Sequence, residues 1–359
     1  MMRKEMLLNK SLWDLPTSTN MTYFWNFGSM LGVSLMVQIL SGILLTMFYT
    51  AFHLESFNSI IYLMKETWMG WIIRMVHMNG ASMFFTFMYL HLFRGLYYSS
   101  SNNKKTWISG SIIMLMMMGI SFLGYVLPWG QMSYWAVAVI TNLMTVIPMI
   151  GEKLVEWIWG GYSVGKPTLI RFYTLHFLTP MILTLAVLMH LFFLHMKGSS
   201  NSIGLKSNMD KMSFHPYFTI KDLLFIIVMI FMLMMLITFK PYLTLDPVNN
   251  VPANPMQTPI HIQPEWYFLP FYAILRAMPT KVSGVLMLIL SSTIFMVMSF
   301  YKYKISTKFL WNRKMIFWLF LSSFLILIKL GSLPAEEPYI FMSKLWSMIY
   351  FSMILLLNL

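Results

Sequence analysis

Cysteine is absent from the 359 residues. The chain therefore builds no disulfide, thiolate metal site, Cys-ligated iron–sulfur cluster or C-x-x-C-H heme attachment. Charge is scarce as well: Asp, Glu, Lys and Arg together make up 10% of the residues, against about a quarter in an ordinary soluble domain. That deficit sets a soluble fold aside. Residues 1–13 lack an apolar signal core and lack an Arg- and Ser-rich amphipathic stretch, so neither a secretory nor a transit peptide is expected. Arginine is the rarer base, and Met is abundant, at 38 residues. Both biases fit AT-rich coding inside a mitochondrion, with an AT-rich bacterium as the alternative.

Long apolar runs fill the space that charge leaves. A membrane span needs about 20 mostly apolar residues, and eight stretches serve: residues 25–49, 70–92, 107–127, 172–195, 223–239, 282–301, 315–330 and 340–357. The expected fold is an all-α membrane protein with eight transmembrane helices. An N-terminal four-helix region (residues 1–205) precedes a four-span region (residues 206–359). Fifteen of the 25 basic residues fall on one side of this topology, giving net charges of +11 there and +2 opposite. The basic side is the inner one, so both termini lie inside, on the matrix side if the gene is mitochondrial. Basicity is thus a topology signal with some attraction for anionic lipid, and no nucleic-acid partner is implied. The outer side receives two long connections. Residues 134–159 are apolar and Trp-rich but too broken to span, and read as interfacial helices. Residues 240–281 are Pro-rich, and long structured loops on one face usually build a site.

The second expected span carries His77 and His91, and the fourth carries His176 and His190. Both intervals are 14 residues, just under four helical turns, so each pair shares a face about 21 Å apart along the axis. The two spans run parallel, which sets His77 level with His176 and His91 level with His190. Ligand-type residues inside a bilayer are costly and usually functional. Two irons, each with two axial imidazoles, are the simplest chemistry for this arrangement, and filled axial positions suit electron transfer. Hydrogen-bonded core histidines or a metal site without heme are the alternatives. Gly28 and Gly42 on the first span, and Gly110 and Gly124 on the third, repeat the interval of 14. Glycine admits a bulky group against the backbone, although small residues also serve plain helix packing. Arg74, Arg94 and Arg171 lie within five residues of these histidines; guanidinium groups suit heme propionates, or snorkel to the interface.

The paired histidines, the run 124–132 (GYVLPWGQM), the run 264–268 (PEWYF), and the runs 213–217 (SFHPY) and 219–222 (TIKD) together resemble cytochrome b of mitochondrial bc1 complexes. The resemblance covers nearly the whole chain. It implies two non-covalently bound b-type hemes, the outer low-potential one on His77/His176 and the inner high-potential one on His91/His190. It implies quinol oxidation outside, electron transfer through both hemes, and ubiquinone reduction inside, coupled to proton translocation. The partners it implies are a Rieske-type iron–sulfur protein, cytochrome c1 and other subunits in a dimeric complex of the mitochondrial inner membrane.

Quinol oxidation needs a proton acceptor in a water-poor pocket near the outer face. Glu265, after Pro264, fits that role, since burial among prolines and aromatics raises a carboxyl pKa. Tyr267 resembles the family's hydrogen-bonding tyrosine, with Tyr125 and Phe122 as wall residues. Ala136 stands where most relatives carry glycine, and its methyl is expected to crowd rigid inhibitors of the outer site. Inside, His195 and Asp222 form a reasonable proton-delivery pair, with an interface histidine and a helix N-cap as the bland readings. Trp25, Asn26, Ser199 and Lys221 match positions lining the inner site by resemblance. A transporter with proton-relay histidines would use the same residue types without a chromophore. A transmembrane heme reductase of the ferric or ascorbate type would explain the four histidines but leave Glu265 and the last four spans without a purpose.

Overall fold

The computed structural model describes residues 13–357 except 54, 200, 204–206 and 301–308. Part of the inner basic set, Arg3, Lys4, Lys10, Lys206, Lys302, Lys304 and Lys308, lies outside the described residues, as does the expected boundary at 205. Twelve α-helices are described, with one short antiparallel pairing of β1 (Pro16–Ser18) and β2 (Lys211–Ser213) on the inner side. The helices are α1 (Phe27–Thr46), α2 (Ser56–Glu66), α3 (Gly70–Tyr97), α4 (Lys104–Val126), α5 (Gln131–Asn142), α6 (Gly151–Trp159), α7 (Lys166–Lys197), α8 (Tyr217–Phe239), α9 (Leu269–Ala277), α10 (Lys281–Val297), α11 (Trp311–Gly331) and α12 (Tyr339–Leu356).

Among the described residues, seven helices are long and apolar enough to cross a membrane on length and composition alone: α1 with its 3-10 lead-in, α4, α7, α8, α10 with its 3-10 end, α11 and α12. The eighth expected span, α3, has the length, at 28 residues or about 42 Å. Its hydropathy is reduced by His77, Asn79 and His91, the residues that make it interesting. It nonetheless runs alongside the apolar helix α7, because His77 meets His176 and His91 meets His190. The helix α7 begins earlier than its apolar run. Pro167 suits a first helical turn, and the Gly165 backbone N–H donates to Thr168 Oγ1 at 3.1 Å. The segment 134–159 forms α5, a 3-10 turn and α6, none of them long enough to span. The helices α2 and α9 were not separable from their loops by sequence pattern.

The halves share a core. Phe85, Met114 and Met117 pack in one cluster with Phe271, Ile294, Phe320 and Phe324. In the C-terminal half, Arg276 on α9 donates to the carbonyls of Leu330 (2.9 Å), Gly331 (3.2 Å) and Leu333 (2.9 Å). The carbonyls of Leu330 and Gly331 close α11 and that of Leu333 lies just past it, where a cation is favoured. This clamp anchors α9, and with it the segment that carries Glu265.

Candidate functional site

The four histidines form two levels. The rings of His77 and His176 have centroids 6.2 Å apart, and those of His91 and His190 are 6.4 Å apart. Two metal–imidazole bonds of about 2 Å, with roughly 1.1 Å from each ring nitrogen to its centroid, require about 6.2 Å. Each Nδ1 is already engaged: by Ser41 Oγ on His77 (2.9 Å), the Ile120 carbonyl on His176 (2.8 Å), Arg94 Nη2 on His91 (2.9 Å) and Ser109 Oγ on His190 (2.9 Å). Ser41, the Ile120 carbonyl and Ser109 can each accept an Nδ1–H, which fixes the ring and leaves Nε2 for a metal. Arg94 can only donate, which puts the His91 proton on Nε2, so a metal at that level requires the guanidinium to turn from the ring. The expected glycines face these rings one to one. A Cβ on Gly28 would stand 3.5 Å from His91, on Gly42 3.2 Å from His77, and on Gly110 2.9 Å from His190; on Gly124 it would press into His176. The room is taken by imidazole edges, which puts the glycines to a use one step closer to the ligands than the macrocycle itself.

Among the described residues, no three or more His, Cys, Asp or Glu side chains gather as a bare-cation site. Two imidazoles per level fit a metal that brings its own equatorial ligands. At the inner level, Trp25 Nε1, Asn26 Nδ2 and Arg94 Nε are buried donors without a protein acceptor. Arg94 lies 5.3 Å over the Trp25 ring. Unmatched buried donors of this kind suit an acceptor-only group such as a propionate.

A cavity of about 250 Å³ reaches from the outer level to the loop before α9. His77, His176, Gly42, Gly124 and Arg74 line one part, and Tyr125, Glu265 and Tyr267 another. Glu265 and Tyr125 also border a second, outward cavity of about 460 Å³ with Asp246 and Pro264. Burial pushes the Glu265 carboxyl up to about 8, Asp246 adds to the rise, and hydrogen bonding with Tyr125 opposes it. Tyr267 is pushed well above the ordinary phenol range, by burial first and by Glu265 second.

Chains of known family share this architecture. The family model described as cytochrome b/b6/petB matches residues 12–198, just over half of the chain, and the one described as cytochrome b(C-terminal)/b6/petD matches residues 252–351. The chain belongs to the cytochrome b family. A solved structure described as "Hyperthermophilic respiratory Complex III" is similar to it at 30% identity and a TM-score of 0.91, covering 98% of this chain and 95% of that one. Membership of the cytochrome b family implies binding of b-type heme.

Within this cytochrome b, the remaining expected residues divide. On the inner side Ser29 Oγ donates to Asp222 Oδ1 at 2.7 Å, and Lys221 Nζ donates to the Met21 carbonyl at 3.0 Å beneath the Tyr23 ring. His195 is half-buried and Ser199 exposed at the end of α7. Among the described residues, no hydrogen bond joins either to Asp222 or Lys221. Arg171 donates to the Trp157 and Ile158 carbonyls and so holds the end of α6, away from the outer cavity. Phe122 packs on Phe172 at 6.0 Å. Ala136 is buried on α5. Neither contributes to the wall of the outer cavity. Sequence reasoning missed Ser41, Ser109, Asp246 and Ser29. Only the positions of Ser41 and Ser109, each one residue before a glycine of the interval-14 set, carried a signal.

Proposed function

We propose that this chain is the di-heme b subunit of a proton-translocating quinol–cytochrome c reductase. The observation that carries the reading is the single cavity that joins the His77–His176 level to Glu265. His77 and His176 would hold one b-type heme and His91 and His190 the other, and such hemes supply reversible one-electron iron chemistry when bound. The two levels lie about 21 Å apart across the membrane, the arrangement that transfer from an outer to an inner site needs. Gly42, Gly124, Gly28 and Gly110 seat the imidazoles. Arg94, Trp25 and Asn26 would bind the propionates of the inner heme, and Arg74 would serve the outer level.

Quinol in the outer cavity is ringed by apolar side chains that keep water away. Its hydroxyl proton goes to Glu265, whose pKa near 8 matches the task at neutral pH. Tyr125 and Tyr267 border the reacting head group. At the inner face Asp222, held by Ser29, Lys221 and His195 would supply the protons that quinone reduction consumes. Likeness to a respiratory Complex III favours a multi-subunit, dimeric assembly in which a Rieske-type iron–sulfur protein takes one electron from each quinol and cytochrome c1 follows it. The abundance of Met and scarcity of Arg favour a mitochondrial inner membrane, and the bias of basic residues to one side favours termini in the matrix.

A reduced-minus-oxidised absorbance spectrum of the purified complex tests this reading. A b-type α-band and two extractable hemes per chain are expected, with reduction on adding quinol; a chain without heme refutes it. Gly124→Val sharpens the test. Its side chain would collide with the His176 ring, and overpacking a tight contact costs about 1–3 kcal/mol. Most of the outer heme should be lost and the inner one kept. Full retention of both by difference spectroscopy would remove Gly124 from the seat.

A further inference from the structure

The face of α3 turned nearly opposite His77 and His91 carries a second row, Asn79, Ser82, Phe85 and Tyr89, spaced by three, three and four residues, which is one stripe of a helix. Each member grips the outer-site loops. Asn79, fully buried, donates to the Pro241 carbonyl at 3.0 Å and accepts from Thr244 Oγ1 at 3.1 Å. Trp266 Nε1 donates to Ser82 Oγ at 3.2 Å. The ring of Phe85 stacks on Tyr267 with centroids 3.9 Å apart and planes within 1°. The Tyr89 hydroxyl donates to the Tyr267 backbone carbonyl at 2.5 Å. Trp266 and Tyr267 directly follow Glu265 in sequence. The helix that presents His77 therefore also holds the backbone that presents Glu265.

Packing alone does not call for a tyrosine at position 89. Its ring lies among Phe85, Phe93, Trp266 and Phe324, where phenylalanine would fill the same space. A buried hydroxyl there is costly unless it is paired, and among the described residues its hydrogen-bond partner is the carbonyl two residues past Glu265. We propose that Tyr89 is a positioning residue for quinol oxidation: its hydrogen bond, with the Phe85–Tyr267 stack, sets where the Glu265 carboxylate stands relative to the His77–His176 level. The inference rests on the quinol-oxidising reading of the same cavity.

The test is Tyr89→Phe in the assembled complex, measured beside Glu265→Gln. A small displacement of a group that acts on a proton lowers the chemical rate while leaving most of the binding surface intact. Tyr89→Phe should lower kcat for quinol about tenfold, leave KM within about twofold, and keep both hemes. Ser82→Ala, which frees Trp266 beside Glu265, should move kcat in the same direction by less, giving a second reading if Tyr89→Phe assembles poorly. An unchanged kcat in both variants while Glu265→Gln is slow overturns the positioning role alone. So does a loss in Tyr89→Phe that tracks heme content or appears only in KM. A Glu265→Gln complex with normal turnover would instead overturn the quinol-site reading itself.

Discussion

On the di-heme reading, His190→Ala is expected to leave the chain with one heme instead of two, and His91→Ala is expected to give the same deficit. The two rings face each other across 6.4 Å, and among the described residues no third His, Cys, Asp or Glu gathers with them. Removing either would leave a heme at that depth with one imidazole to hold it, and the remaining ligand would not replace the lost one. The outer level is local to His77 and His176, whose ring partners Ser41 and Ile120 belong to different turns of α1 and α4 from those that serve the inner level. It should keep its heme in both variants. Pyridine extraction gives the number, and the α-band of the retained heme gives the level. A result in which His91→Ala and His190→Ala lose different hemes would break the pairing, and with it the parallel arrangement of α3 and α7.

The pairing was legible because a rigid 3.6-residue helix turns sequence interval into height. Four intervals of 14 on four helices leave little freedom, and the structure places every glycine of that set against a histidine. Residues that act through loops were less legible. Arg171 lies five residues before His176, yet in space it serves the carbonyls of α6, because Gly160 turns the chain back toward it with φ of 73°. Asp246 gave no signal because it lies 19 positions before Glu265, and only the fold of the Pro-rich loop brings the two to one cavity. The span expected over residues 70–92 is α3, although its mean hydropathy falls below that of the other seven. The side chains that make it a ligand helix lower its hydropathy, so the span with the densest chemistry is the one that hydropathy alone passes over.

The base at the outer site has a definite pH signature. Burial and Asp246 lift Glu265 to about 8, from an ordinary carboxyl value of 4.5. A group that must accept a proton works in its ionised form. At pH 7 that form is about one tenth of the population, and it grows roughly tenfold with each unit of pH until the curve bends near 8. The sign is therefore a rise in kcat/KM for quinol from pH 6 toward 8 and a plateau above it. An unburied carboxylate would instead be fully ionised across that range and give a flat line. Glu265→Gln keeps the shape and the hydrogen-bonding length of the side chain but cannot take a proton. Turnover should fall about a hundredfold, the lower end of what a positioned general base contributes. KM should change little, both hemes should stay, and the rising limb should vanish from the residual activity. Asp246→Asn supplies the complementary arm: with the neighbouring charge gone, the bend should move to lower pH and turnover at pH 7 should rise or hold. If Glu265→Gln retains the rising limb at full height, the proton leaves quinol by another group, and the raised pKa of Glu265 is only a consequence of its burial.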